Sequence, residues 1–171
     1  PYIFRLEKIF HRKKHTLPSE QEALLALSQN ALDTASKSFG ALNNADISFD
    51  NITDGTGEER PLSHATYSSY LHSQDRVLRC NAFTTYHNTF LSYENSLCEL
   101  LSGAVQKHLF DAKARSYDSC LSAALFPKNI DNKVYHALVD TVDDNVSSLH
   151  KYISLRKKIL GYETLHLYDM Y

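Results

Sequence analysis

The sequence predicts a mainly α protein: long antiparallel helices, arranged as a helical hairpin or bundle, with a small β-hairpin near residues 47–63. Three observations carry this. There are only 5 Gly and 4 Pro in 171 residues, too few for a loop-rich all-β domain. Apolar residues recur at helical spacing along most of the chain. A sevenfold apolar repeat runs through its middle, the packing pattern of long helices lying nearly antiparallel.

Taken in order, residues 2 to about 14 read as an amphipathic helix, with Ile3, Leu6, Ile9 and Phe10 on one side and Arg5, Lys8, Arg12, Lys13 and Lys14 around them. Pro18 suits a first helical turn, and Ser19 to Glu22 matches a capping box. Leu24, Leu25, Leu27 and Leu32 continue that helix. A short helical piece follows near Ser36 to Leu42 and ends at Asn43-Asn44-Ala45-Asp46. Strands are expected at Ile47–Thr53 and Glu59–Ser63, with Asp54-Gly55-Thr56-Gly57 as a turn tolerant of positive φ. Pro61 restricts the second strand to an edge or bulge.

Ser63 is placed to cap a short helix through Leu71, and Ser73, with Asp75 in the first turn, to open the next. Phe83, Phe90, Leu97 and Ala104 are seven apart, and Tyr86, Tyr93 and Leu100 interleave with them. One helix from Asp75 to about Arg115 would be roughly 60 Å long at 1.5 Å per residue. Ser119 to Phe126 makes a short helix that stops at Pro127. Asp131 caps the last long helix, whose seam is Val134, Leu138, Val142, Val146, Leu149, Ile153 and Leu160. Gly161 is its C-cap. The chain divides into a helical region with the hairpin, 1–72, and a long helical hairpin, 73–171.

Composition limits function. Eighteen Lys and Arg stand against 20 Asp and Glu, a net charge of −2, which predicts no nucleic-acid partner. No apolar run approaches the ~20 residues of a membrane span, so no membrane partner is expected. The start lacks the features of a secretory signal and an initiator Met, and the aromatic close, Leu165 to Tyr171, lacks a polar tail. Both ends read as cuts through a longer chain. Cys80, Cys98 and Cys120 are odd in number and widely spaced, which fits reduced thiols and a cytoplasmic location.

None of the nine histidines is followed by Glu, so the chain has no HExxH. His11 and His15 are four apart, but a metal site needs a third ligand, and Arg12, Lys13 and Lys14 would repel a cation; they read as solvated histidines in a basic turn. No Gly-x-Ser-x-Gly elbow is present. Cys80 and Cys98 read as buried small apolar residues. Residue types and spacing therefore give a scaffold with no catalytic and no metal-binding residue.

Several stretches together resemble the N-terminal half of oligoendopeptidase F, a zinc peptidase of the M3 family related to thimet oligopeptidase. His15-Thr16-Leu17 followed by Glu20-Gln21-Glu22 is similar to the family's entry into its second helix. Ser73-Gln74-Asp75-Arg76, with Arg79 and Ala82, resembles its Ser-x-Asp-Arg-x-x-Arg-x-x-Ala stretch. Glu94-Asn95-Ser96-Leu97 follows. Ala112-Lys113-Ala114-Arg115-Ser116-Tyr117, continued by Leu121, Ala124, Leu125 and Phe126, resembles another family stretch. Leu149-His150-Lys151-Tyr152, Leu155-Arg156-Lys157 and Leu165 to Tyr171 complete the likeness. Pro18 stands where the family often has Ser, and Cys80 where a polar residue is usual.

The resemblance implies a cytoplasmic zinc endopeptidase that cuts short peptides inside a channel walled by helices. Zinc would be held by an HExxH helix and a further Glu, all outside this chain, so no residue here inherits a catalytic or metal role and no zinc is bound by these residues. The partners implied are short peptide substrates and the rest of the parent polypeptide. A stand-alone helical interaction module without enzymatic activity is the alternative.

Overall fold

A computed structural model describes residues 2–171. Helices dominate it: α1 Tyr2–Lys13, α2 Ser19–Leu32 and α3 Thr34–Ala41, then a π-turn at Leu42–Asp46, strands β1 Ile52–Thr53 and β2 Glu59–Arg60, α4 His64–Leu71, α5 Arg76–Leu91, α6 Glu94–Ala114, α7 Cys120–Leu125, a 3₁₀ turn Phe126–Lys128, α8 Asn132–Leu160, and a last 3₁₀ turn Leu167–Asp169. Mainly α with one small hairpin is the class the sequence predicts. The strands pair antiparallel, Ile52 opposite Arg60 and Thr53 opposite Glu59, and are shorter than expected. Asp54 explains the shortening. Its Oδ1 accepts from the Thr56 and Glu58 amides and its Oδ2 from Arg60 Nε, so the chain is committed to a side-chain-held turn before the ladder can extend.

Ser63, Asp131 and Gly161 cap their helices as expected. Ser63 forms a full capping box with Thr66 on α4, Ser119 accepts from the Ser122 amide on α7, Asp131 accepts from the Lys133 amide at the start of α8, and Gly161 takes φ +67° just past its end. At α5 the cap is Asp75, accepting from the Val77 and Leu78 amides, while Ser73 Oγ accepts from the Asp75 amide. At α2 the Ser19–Glu22 box does not form. The Glu22 carboxylate instead accepts from the Leu17 amide and from Arg115.

The expected rod from 75 to 115 is two helices. Ser92 Oγ donates to the Thr89 carbonyl and the Tyr93 amide to the Phe90 carbonyl, closing a tight turn that ends α5. Glu94 then gives α6 a negative charge in its first turn. The seam residues Phe83, Tyr86, Phe90, Tyr93, Leu97, Leu100 and Ala104 are all half-buried, so the sevenfold pattern does mark the inward side of both helices.

Two compact units make up the described chain: residues 2–38 with 99–145, and Phe39–Cys98 with Val146–Tyr171. The second unit holds a core of Ile52, Leu62, Leu78 and Ala82, with Phe49, Tyr67, Tyr70 and Tyr86 against it. Here α5 packs on α4 and β1. Leu78, Ala82 and Tyr86 are four apart and lie on one face of α5. In the first unit α3 and α6 meet closely: a Cβ on Gly103 would lie 2.9 Å from the Ala35 Cβ. The seam expected on α8 is not a buried seam. Val134, Leu138, Val142, Leu149 and Leu160 are exposed, and no residue of this helix is buried, because nothing in either unit covers that face.

Candidate functional site

The conspicuous polar constructions are two arginine–carboxylate clasps, one in each unit. In the second unit Asp169 is 1% exposed and accepts from two guanidiniums. Arg76 Nε and Nη2 donate to its two oxygens at 3.1 and 2.9 Å, and Arg79 Nη2 donates at 2.9 Å. The His166 amide donates to it as well. Burial alone would push the Asp169 carboxyl up; the bonds from Arg76, Arg79 and His166 outweigh that and hold it well below the usual carboxylate range. Arg79, itself buried, also donates to the Tyr168 and Ser73 carbonyls. Arg156 Nε donates to the Asp169 carbonyl, and the Arg76 guanidinium lies 4.1 Å over the Tyr162 ring. Arg76 and Arg79 thus fix the 3₁₀ turn Leu167–Asp169 against α5, and Arg156 ties it to α8.

In the first unit Arg115 donates through Nη1 and Nη2 to the two oxygens of Glu22 at 2.6 and 2.8 Å, a bidentate fork. The Arg115 bonds, with the Leu17 amide, lower the Glu22 carboxyl from 4.5 to about 2. Beside the fork, His15 stacks on Tyr117 with ring centroids 3.7 Å apart, and His11 stacks on Phe126 at 3.9 Å. His15 Nδ1 donates to the Arg115 carbonyl at 2.8 Å and His11 Nε2 to the Phe126 carbonyl at 3.2 Å. These histidines are half-buried, each stacked on an aromatic ring and bonded through one ring nitrogen, so the expectation of solvated side chains is corrected. No local signal could have found their partners, which lie 100 or more residues away.

A third construction joins aromatics in the second unit. Tyr86 is sandwiched between Phe49, at 4.8 Å, and Tyr67, at 3.9 Å. His64 Nε2 donates to the Asn43 carbonyl, which leaves Nδ1 of the neutral ring to accept from the Tyr86 hydroxyl at 2.8 Å. Cys98 and Cys120 are exposed and Cys80 half-buried, so Cys98 is not the core residue its helix suggested; it lies on the outer side of α6. Among the described residues no three His, Cys, Asp or Glu side chains converge to hold a metal ion. These residues do not fit a zinc site.

What this arrangement does is hold chain segments together. Some of the residues that carried the resemblance make the clasps: Arg76 and Arg79 meet the 165–171 stretch at Asp169, and Arg115 and Tyr117 meet the 15–22 stretch at Glu22 and His15. Ala82 and Ala112, 0% and 2% exposed, leave room for close packing beside each clasp.

Helices braced by motif residues in this way define a mainly α class of protein, and similarity to known proteins gives the family. A family model described as Peptidase family M3 matches residues 69–171, and the chain belongs to that family. A second model, described as Oligopeptidase F, matches residues 1–49. The chain is 39% identical over 170 residues to oligopeptidase PepF of Bacillus subtilis (strain 168), covering 99% of this chain and 25% of that protein. It is 36% identical to an oligoendopeptidase F homolog of Borreliella burgdorferi, over 97% of this chain and 27% of the relative. The crystal structure of oligoendopeptidase-F from Enterococcus faecium superposes with a TM-score of 0.94 at 38% identity, over 99% of this chain and 33% of that one. The chain therefore spans about a quarter of the length of the curated relatives it matches. No helix among the described residues is long and apolar enough to cross a membrane.

Proposed function

We propose that these residues are the N-terminal helical part of a zinc-dependent oligoendopeptidase that hydrolyses short peptides in the cytoplasm, and that they wall its substrate channel without taking part in the chemistry. Residues 1–72 form the entry region with the hairpin, and 73–171 begin the M3 peptidase region. The observation that carries this reading is the use of the motif residues. Arg76, Arg79 and Arg115 are each spent on an internal carboxylate, as expected of parts that set the position of a wall. Support also comes from relatives named oligopeptidase and oligoendopeptidase F that match 97% or more of the chain. Zinc would be held, and its bound water activated, by residues of the remaining polypeptide.

The test is hydrolysis of a quenched short peptide by the full-length polypeptide. Turnover is expected and should disappear when a chelator is added, then return with zinc. A folded protein containing the same cleavable sequence should be left intact, since a walled channel admits only short chains. Turnover that persists in chelator removes the zinc-peptidase reading. Cleavage by residues 1–171 alone removes the non-catalytic role and, with it, the alternative of an inert scaffold.

A further inference from the structure

The first half of α8 carries an apolar stripe that nothing in its unit covers. Val134, Leu138 and Val142 recur every four residues and are 59%, 64% and 57% exposed, with Tyr135 and Val139 beside them at 46% and 41%. All five lie on one side of the helix, and the charged Asp140, Asp143 and Asp144, also exposed, lie on the other. Four of the five stripe residues, Val134, Tyr135, Val139 and Val142, are β-branched or aromatic types of low helix propensity, so this segment depends on tertiary packing for its order. Such a stripe, free of charge along its length, fits an apolar face and not a polar or anionic partner.

We propose that the Val134–Leu138–Val142 stripe is the seat of an apolar helical face belonging to the rest of the same polypeptide, the part that the matched relatives possess beyond their likeness to this chain. The relatives are about four times as long as the region matched, so a large body of covalently joined chain is available at high effective concentration. The proposal rests on the reading of this chain as part of a larger peptidase.

The experiment is site-specific maleimide labelling of the full-length polypeptide, read by peptide mass spectrometry. Leu138→Cys is compared with Asp140→Cys on the opposite face of the same helix. We expect the Cys at 138 to label at least tenfold more slowly than the Cys at 140 under native conditions, and the two to label equally after denaturation. The ratio should not change over a hundredfold dilution. Equal native labelling overturns the proposal. Protection that vanishes on dilution assigns the stripe to a second copy and also overturns it. Peptide hydrolysis is not read here, so a polypeptide that labels as expected yet cuts no peptide counts against the functional reading alone.

Discussion

Asp169 is the side chain on which the second unit's closing turn depends. Removing its charge as Asp169→Asn leaves buried Arg79 facing a neutral amide. Breaking one side of a buried ion pair costs about 3–5 kcal/mol, and the loss should appear as a lowered midpoint in urea unfolding with an unchanged slope. A loss of stability below about a tenth of that figure would show the clasp to be ornamental. Glu22 makes a different kind of prediction. Its carboxyl titrates near 2 in the folded chain against an ordinary 4.5, so the unfolded chain binds the proton first as pH falls. Its contribution to stability is fully present above pH 4.5 and is lost as pH drops toward 2. Glu22→Gln should therefore flatten the stability–pH curve in that window and leave its shape above pH 5 unchanged. A curve of unaltered slope between pH 4.5 and 2 would contradict the Arg115 fork.

At the scale of elements, α3 and α6 approach closely where Ala35 faces Gly103. Gly103→Ala adds a methyl 2.9 Å from the Ala35 Cβ. The helix itself gains about 1 kcal/mol from the Gly-to-Ala change, whereas overpacking costs about 1–3 kcal/mol. A net loss of about 1 kcal/mol is expected, and Ala35→Gly in the same chain should recover most of the steric part. A stabilised single variant would mean that the helices separate freely. The breakpoint between α5 and α6 belongs to this scale too. It was legible in Ser92 and Glu94, a back-bonding hydroxyl and a first-turn acid, but the sevenfold seam running unbroken through it is the stronger pattern and hides it. Both helices keep that seam half-buried, so the pattern reads correctly for the face and wrongly for continuity.

For the whole molecule, the surface left apolar is the main quantity. Ile3, Phe4, Leu6 and Phe10 on α1 and Leu149, Leu155 and Ile159 on α8 are all more than half exposed. Residues 1–171 produced alone should bind a hydrophobic dye several-fold more strongly per mole than the full-length polypeptide. Equal binding would mean that these faces stay in water in the larger protein as well.

By itself the sequence determined the helical class, the position of the hairpin, three of the caps and the family, because each of those signals acts within a few residues or within a motif that stays together. Tertiary structure alone decided which arginine meets which carboxylate, that His11 and His15 are stacked rather than solvated, and that the seam on α8 is open. Arg79 and Asp169 are 90 residues apart, and Arg115 and Glu22 93. Helical periodicity says which way a side chain faces but not what stands opposite, and that is settled only when distant segments are brought together by burial of the residues between them.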